Sequence, residues 1–251
     1  AADLGVELKL KKMRVKELKK YVKEVVPVIE DTDVMMTSVA LPLYVACEFA
    51  KEDCGIKTVL YGLGAEELLA GYERHRRVKK EDLNKECLAG LLRTHERDLY
   101  RDELVAKAQG ISLRAPFLAP DFVGYALRIP ATYKLSEDKT ENKLILRDIA
   151  RDLGLVEVAG RKKRAVQYGS NFLKAIEKLS KKKGFKYKRD YLRTFYPSRN
   201  AKLGCLFSSG KDSTYAPWLM QKEGYRVECL ITLKRLNPAS HMFQTHALGR
   251  V

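Results

Sequence analysis

The sequence predicts an α/β protein with a helical extension, and three observations predict it. Short apolar runs alternate with amphipathic helical patterns near the start. Helical periodicity alone governs the stretch from about residue 81 to 153. A second strand–loop–helix–strand unit begins near Lys202.

The elements follow in order. Val6, Leu8 and Leu10 alternate with charged residues, the period of a strand. Val15 to Ile29 reads as an amphipathic helix carrying Leu18, Tyr21, Val22, Val25 and Val26 on one face, with Pro27 perturbing its end. Val39 to Cys54 reads as a second helix rich in small residues, and Ile56 to Tyr61 as a short apolar strand. The following GLGAEELLAGY is a glycine turn opening into a helix. Helical patterns then cover Glu81 to Ala108, Phe117 to Leu127 and Asn142 to Leu153. A first domain is expected over 1–185. Residues 186–201 are basic and contain Pro197, which suits a solvated linker; the dense run Lys178 to Arg189, KLSKKKGFKYKR, leads into it. From 202 to 251 a new unit is expected: a buried strand Leu203 to Phe207, the polar loop SSGKDS, a helix Thr214 to Glu223 and a strand Arg226 to Leu233.

Composition narrows the class. Hydrophobic residues at 45% can build a core, and no apolar run reaches bilayer length, so a membrane partner is not expected. The five cysteines are scattered without a CxxC pair, which argues against a disulfide framework and a zinc site and favours the cytoplasm. The net charge of +16 favours anionic partners: nucleotides, pyrophosphate or, less favoured, RNA. His75, His95, His241 and His246 are scattered and read as structural.

The strongest local signal is LGCLFSSGKDST, from Leu203. A strand ends in a loop of small residues and opens a helix whose N-terminal N–H groups favour an anion. Ser208, Ser209 and Ser213 offer hydroxyl donors, Gly210 allows close backbone approach, Lys211 adds a cation, and Asp212 can hold Mg2+ or order the loop. The spacing is not that of a Walker loop. It resembles the SGGxDS loop of the PP-loop ATP pyrophosphatases, with Ser209 where that family has Gly. The resemblance implies an adenine nucleotide α-hydrolase-like fold with a Rossmann-like parallel sheet and cleavage of ATP between its α and β phosphates. The tail from Tyr225 resembles the start of the diphthine–ammonia ligase family, through Asn237, Ser240, Met242, Phe243 and Thr245.

The first 185 residues resemble the synthetase domain of asparagine synthetases. VIEDTDVMMTSVALPLYVACEFA, from Val28, is similar to the family's ETxD stretch at Glu30 and Asp33. YGLGAEELLAGYERH, from Tyr61, is similar to SGEGxDExxxGY at Gly62, Gly64, Glu67, Gly71 and Tyr72, with Glu66 for the family's Asp. GISLRAPFLAP, from Gly110, is similar to GxExRxPFLD at Gly110, Arg114, Pro116, Phe117 and Leu118. NKLILRDIA matches at Lys143, Leu146 and Arg147, and RKKRAVQYGS resembles a late basic loop whose lysine aligns with Lys163.

The resemblance implies an ATP-dependent, AMP-forming ligase that adenylates a carboxylate and lets ammonia displace the AMP. It assigns catalysis to Lys163, Glu67 and Glu66, nucleotide contacts to Gly62, Gly64 and Tyr72 beside the serine–glycine loop, acceptor binding to Glu30, Asp33 and Arg114, and Mg2+ to Glu66 with Asp212. Glu66 and Glu67 also suit a helix N-terminus on electrostatic grounds alone. ATP and Mg2+ are the implied cofactors. A small-molecule or protein-bound carboxylate and ammonia, the latter from a separate glutaminase subunit or free in solution, are the implied partners. The first domain's own PP-loop is expected upstream of Ala1, and the second domain lacks the later parts of its family, so both ends read as truncated. Leu63, Ser112 and Ala119 replace the family's Glu, Glu and Asp. They keep open a nucleotide-binding module without catalysis, as the charge keeps open a tRNA-modifying enzyme.

Overall fold

The computed structural model describes residues 4–162, 165–196, 202–222 and 225–232. The chain divides into two compact units, Ala1–Phe195 and Tyr196–Val251.

Near the start of the first unit Val6, Leu8 and Leu10 are exposed and form no strand, against expectation, because among the described residues nothing pairs with their backbone. Helix α1 spans Leu18–Ile29 and buries Val22, Val25 and Val26 completely, each contributing about 1.5–3 kcal/mol. Helix α2 starts earlier than its periodicity suggested, at Val34–Glu52, because Asp33 caps it: one carboxylate oxygen accepts the N–H groups of Met35 and Met36, both at 2.9 Å. This 19-residue helix is long and apolar enough to cross a membrane, yet Ala40, Leu41, Tyr44, Val45 and Cys47 are buried and it packs against α1, as a core helix does.

Strand β1 (Thr58–Leu60) ends in the glycine turn and the single turn α3 (Ala65–Leu68), followed by α4 (Glu73–Arg76). Helix α5 (Leu83–Thr94) runs through a π-helical turn, His95–Leu99, into α6 (Tyr100–Gln109), which packs on α2. Strand β2 (Ser112–Arg114) then pairs parallel to β1, with Val59 opposite Leu113. Cys47, Ala106, Ile111 and Leu113 form the core beneath this pair. Helices α7 (Pro120–Arg128), α8 (Leu144–Asp152), α9 (Val156–Gly160), α10 (Val166–Gly169), α11 (Phe172–Lys182) and α12 (Lys188–Arg193) complete the extension. The last corrects the linker boundary. Tyr191 and Leu192 are buried and α12 packs on α11, because two large apolar side chains outweigh the lysines around them.

In the second unit β3 (Lys202–Leu206), α13 (Lys211–Lys222) and β4 (Arg226–Ile231) make the expected parallel βαβ unit, with Leu203 opposite Val227 and Cys205 opposite Leu230. The pair is not buried as expected: Leu206 of β3 and Leu230 and Ile231 of β4 are exposed, and among the described residues of this unit α13 is the one helix beside them.

Candidate functional site

The first unit carries a cleft of about 670 Å³ at the carboxyl end of β1, the end at which ligands bind in open parallel sheets. Gly62, Leu63, Glu66, Glu67 and Tyr72 line one side of it. The glycines make that arrangement feasible. Gly64 has φ +96, and a Cβ there would lie 2.6 Å from a Leu118 methyl, so only glycine lets the chain turn so tightly from strand to helix. Gly71 lies against the Glu66 side chain and leaves no room for a Cβ.

The two carboxylates are held differently. Glu66 Oε1 accepts the Lys143 ammonium at 2.8 Å, with both side chains about one quarter exposed or less. The neighbouring Asn142 donates its amide to the Gly71 carbonyl, also at 2.8 Å, so α8's start clamps the whole turn. Glu66, expected as a Mg2+ ligand, is paired with an ammonium here. Glu67 is 2% exposed. Its Oε1 accepts the Tyr72 hydroxyl at 2.6 Å, while Oε2 is buried with no hydrogen-bond partner among the described residues. Burial, helped by that carboxylate, raises the Tyr72 phenol well above its ordinary value, so it stays a donor.

Behind Tyr72 stands His75, fully buried, whose Nδ1 accepts the Tyr72 N–H at 3.2 Å. Accepting there requires the neutral ring. Burial, and next the Arg74 charge, lower its pKa to about 4, in keeping with that role. Arg74 lies over the Tyr72 ring at 4.3 Å and pairs with Glu86 at 3.2 Å.

A second group on the cleft comes from the π-helical turn. Arg97 and Asp98 of that turn line the same cleft as Arg101 and Asp102 of α6. Arg101, almost wholly buried, donates to Asp98 at 2.9 Å and to Asp102 at 2.8 Å. Burial raises Asp102 to about 6, against the opposing pull of Arg101. Sequence reasoning missed this group, whereas it read His75 as structural, in keeping with its burial. The available signal was the spacing of Asp98, Arg101 and Asp102, which puts all three on one helical face.

The residues expected to bind the acceptor stand at the ends of elements. Asp33 caps α2, Glu30 is an exposed left-handed residue (φ 51) ending α1, and Arg114 is exposed at the end of β2, its carbonyl accepting the Tyr61 N–H at 3.0 Å. None of the three lines the cleft. Lys163, and the tail residues Asn237 to Thr245, lie outside the described residues.

The serine–glycine loop of the second unit is a closed bend. The Ser208 N–H lies 3.3 Å and its hydroxyl 3.1 Å from Ser213 Oγ, which in turn donates to the Gly210 carbonyl at 3.0 Å. Ser209 stands at φ 59, the left-handed region that a glycine would occupy without strain, and its hydroxyl donates to the Ser208 carbonyl at 2.6 Å. Lys211 and Asp212 are exposed in the first turn of α13. No group of three or more acidic, His or Cys residues gathers among the described residues.

Comparison with known proteins agrees with the motif order in the first unit. The asparagine synthase family model matches residues 1–85 and 77–194, which ends where the first unit ends. A putative glutamine-hydrolysing asparagine synthetase of Methanocaldococcus jannaschii is 37% identical over 75% of this chain and 41% of its own length. Asparagine synthetase domain-containing protein 1 of Homo sapiens is 41% identical over 50% of the chain and 20% of its own, and asparagine synthetase B of Escherichia coli 30% over 60% and 27%. The chain thus spans about two fifths of the length of the archaeal relative and less of the other two. With a family model covering most of its residues, the chain belongs to the asparagine synthase family.

Proposed function

We infer that the protein is an ATP-dependent, AMP-forming amide ligase. The observation that carries the reading is the buried Glu67 carboxylate, whose Oε2 has no hydrogen-bond partner among the described residues, on a residue lining a cleft at the carboxyl end of a parallel strand pair. Family membership supports it. In the reaction a carboxylate oxygen of the acceptor attacks the α-phosphorus of ATP and pyrophosphate leaves. Ammonia then attacks the acyl carbon, AMP departs with the bonding pair, and ammonia's surplus proton passes to a base.

Glu67 Oε2 suits that base, or a partner for an ammonium, since it is a desolvated acceptor already fixed by Tyr72. Arg74 and Arg97 supply cations to the charge that builds on phosphorus and on the tetrahedral carbon. Taken by itself, the second unit offers Ser208, Ser213, the Gly210 backbone and Lys211 to the β and γ phosphates of a nucleotide bound to that unit, and Asp212 to a Mg2+ on them. Lys163 keeps its expected catalytic role. Ammonia comes free or from a separate glutaminase subunit, and the cytoplasm is the setting.

The test is exchange of labelled pyrophosphate into ATP by the full chain, with Mg2+ and a panel of carboxylates. Exchange that depends on one carboxylate is expected. Nucleotide binding without exchange for any carboxylate would leave a module without catalysis. Exchange that needs RNA would move the protein to RNA modification.

A further inference from the structure

Helix α11 carries an exposed stripe of cations that its own stability does not call for. From Lys174 to Arg193 the sequence has nine lysines and arginines against two acids, a net +7 of the chain's +16. The two acids are taken: Glu177 pairs with Lys181 at 2.7 Å and Asp190 with Arg193 at 3.6 Å. Lys174, Lys178, Lys182, Lys183, Lys186 and Arg189 are exposed and form no ion pair among the described residues. Lys174, Lys178 and Lys182 follow at i, i+4 spacing, so like charges repel along one face, away from the buried Ile176 and Leu179. Lys182 suits the helix's C-terminal end, but Lys174 stands in the first turn, where the dipole favours acids.

Beside this stripe lies a cavity of about 290 Å³ that shares no lining residue with the Glu67 cleft. Arg14, Lys174 and Lys178 bring charge to its lining, and Met13, Leu18 and Phe172 bring apolar surface. Arg14 too has no ion pair among the described residues. In the turn after α11 stands Tyr187, 59% exposed, with Lys186 over its ring at 5.3 Å and Arg189 two residues on. Cations interleaved with an exposed ring suit a polymer that has both phosphates and flat bases. An anionic membrane fits less well, because the apolar face of α11 is buried against the protein and has nothing to insert. An acidic peptide would meet the lysines but has no base to lay on Tyr187. A duplex keeps its bases stacked, so it offers none to the ring or to the cavity.

We propose that α11 and the turn after it form a docking surface for single-stranded nucleic acid: phosphates along the Lys174, Lys178 and Lys182 stripe, one base in the cavity beside Arg14, and another on Tyr187. The surface is separate from the ligase site, and its test does not depend on that activity.

The experiment is fluorescence anisotropy of the full chain with a labelled single strand of about 12 nucleotides, as RNA and as DNA, over a salt series. Binding of either is expected, with log K falling against log salt at a slope of about −2 or steeper, from three or more phosphate contacts at about −0.7 each. Lys178→Gln with Lys182→Gln should flatten that slope by about 1.4. Lys57→Gln with Lys107→Gln, exposed lysines outside this surface, should leave it unchanged. Tyr187→Ala should weaken binding about fivefold or more at an unchanged slope. An abasic strand of the same length should bind as weakly to the unaltered chain, a comparison that needs no variant. Circular dichroism of each variant separates lost binding from lost fold. No binding at low salt, or equal flattening by the two lysine pairs, overturns the proposal. So does an abasic strand, a duplex or polyglutamate of equal charge binding as tightly as the single strand, which would leave a polyanion patch without base contacts.

Discussion

The Glu66–Glu67 turn of the first unit and the serine–glycine bend of the second both follow a short parallel strand and open a helix, yet they are held by different means. In the first, Lys143 and Asn142 reach back across more than seventy residues, and the carboxylates sit buried or half-buried. In the second, hydroxyls and carbonyls within a span of seven residues bond one another in solvent. The first is therefore a tertiary structure that fails as a whole. The second is a local turn whose strength is set by backbone conformation.

The largest effect expected from this contrast concerns Arg101. Arg101→Met leaves Asp102 and Asp98 without their cation in a buried setting, and should cost about 3–5 kcal/mol in denaturant unfolding of the first unit. The matching change in the second unit, Lys211→Met, removes an exposed charge and should stay within about 0.5 kcal/mol. Equal losses would break the comparison.

The next concerns His75. Its folded pKa of about 4 lies below the ordinary 6.5, so protonation favours the unfolded chain. Its contribution is complete above pH 6.5 and is lost as pH falls toward 4, up to about 3 kcal/mol. Asp102 is raised and acts in the opposite sense, but it is common to parent and variant and drops out of their difference. His75→Asn keeps an acceptor for the Tyr72 N–H and does not titrate. The parent should thus lose up to about 3 kcal/mol more than His75→Asn between pH 7 and pH 4 in paired denaturant titrations. Parallel pH profiles would mean that His75 is already charged in the fold.

The smallest effect sharpens the other side. Ser209 holds φ 59, a conformation that costs a side-chain-bearing residue about 1 kcal/mol relative to glycine. Ser209→Gly should therefore stabilise the second unit by up to about 1 kcal/mol in denaturant unfolding. A loss of stability would show that the Ser209 hydroxyl contributes more than its backbone strain costs.

The same contrast explains what could be read in advance. The βαβ unit around Ser208–Ser213 was legible because strand, loop and helix signals sit next to one another in the chain, and the glycine turn before Glu66 for the same reason. Helices α1 and α8 also follow their periodicity closely. The Lys143–Glu66 pair, the π-helical turn and the His75–Tyr72–Glu67 chain join residues that only tertiary packing brings together or rotates into place. Asp33 shows the converse. An acidic residue ahead of a helix satisfied a motif, and the helix end itself accounts for it.

The central claim is that chemistry in the first unit turns on the buried Glu67 carboxylate. Its most direct test is AMP release by the full chain with ATP, Mg2+, ammonium and the acceptor, comparing the parent with Glu67→Gln at matched fold. Loss of a positioned general base predicts a fall of about 100-fold or more in acceptor-dependent AMP release. Glu67→Gln releasing AMP at the parental rate would contradict the account.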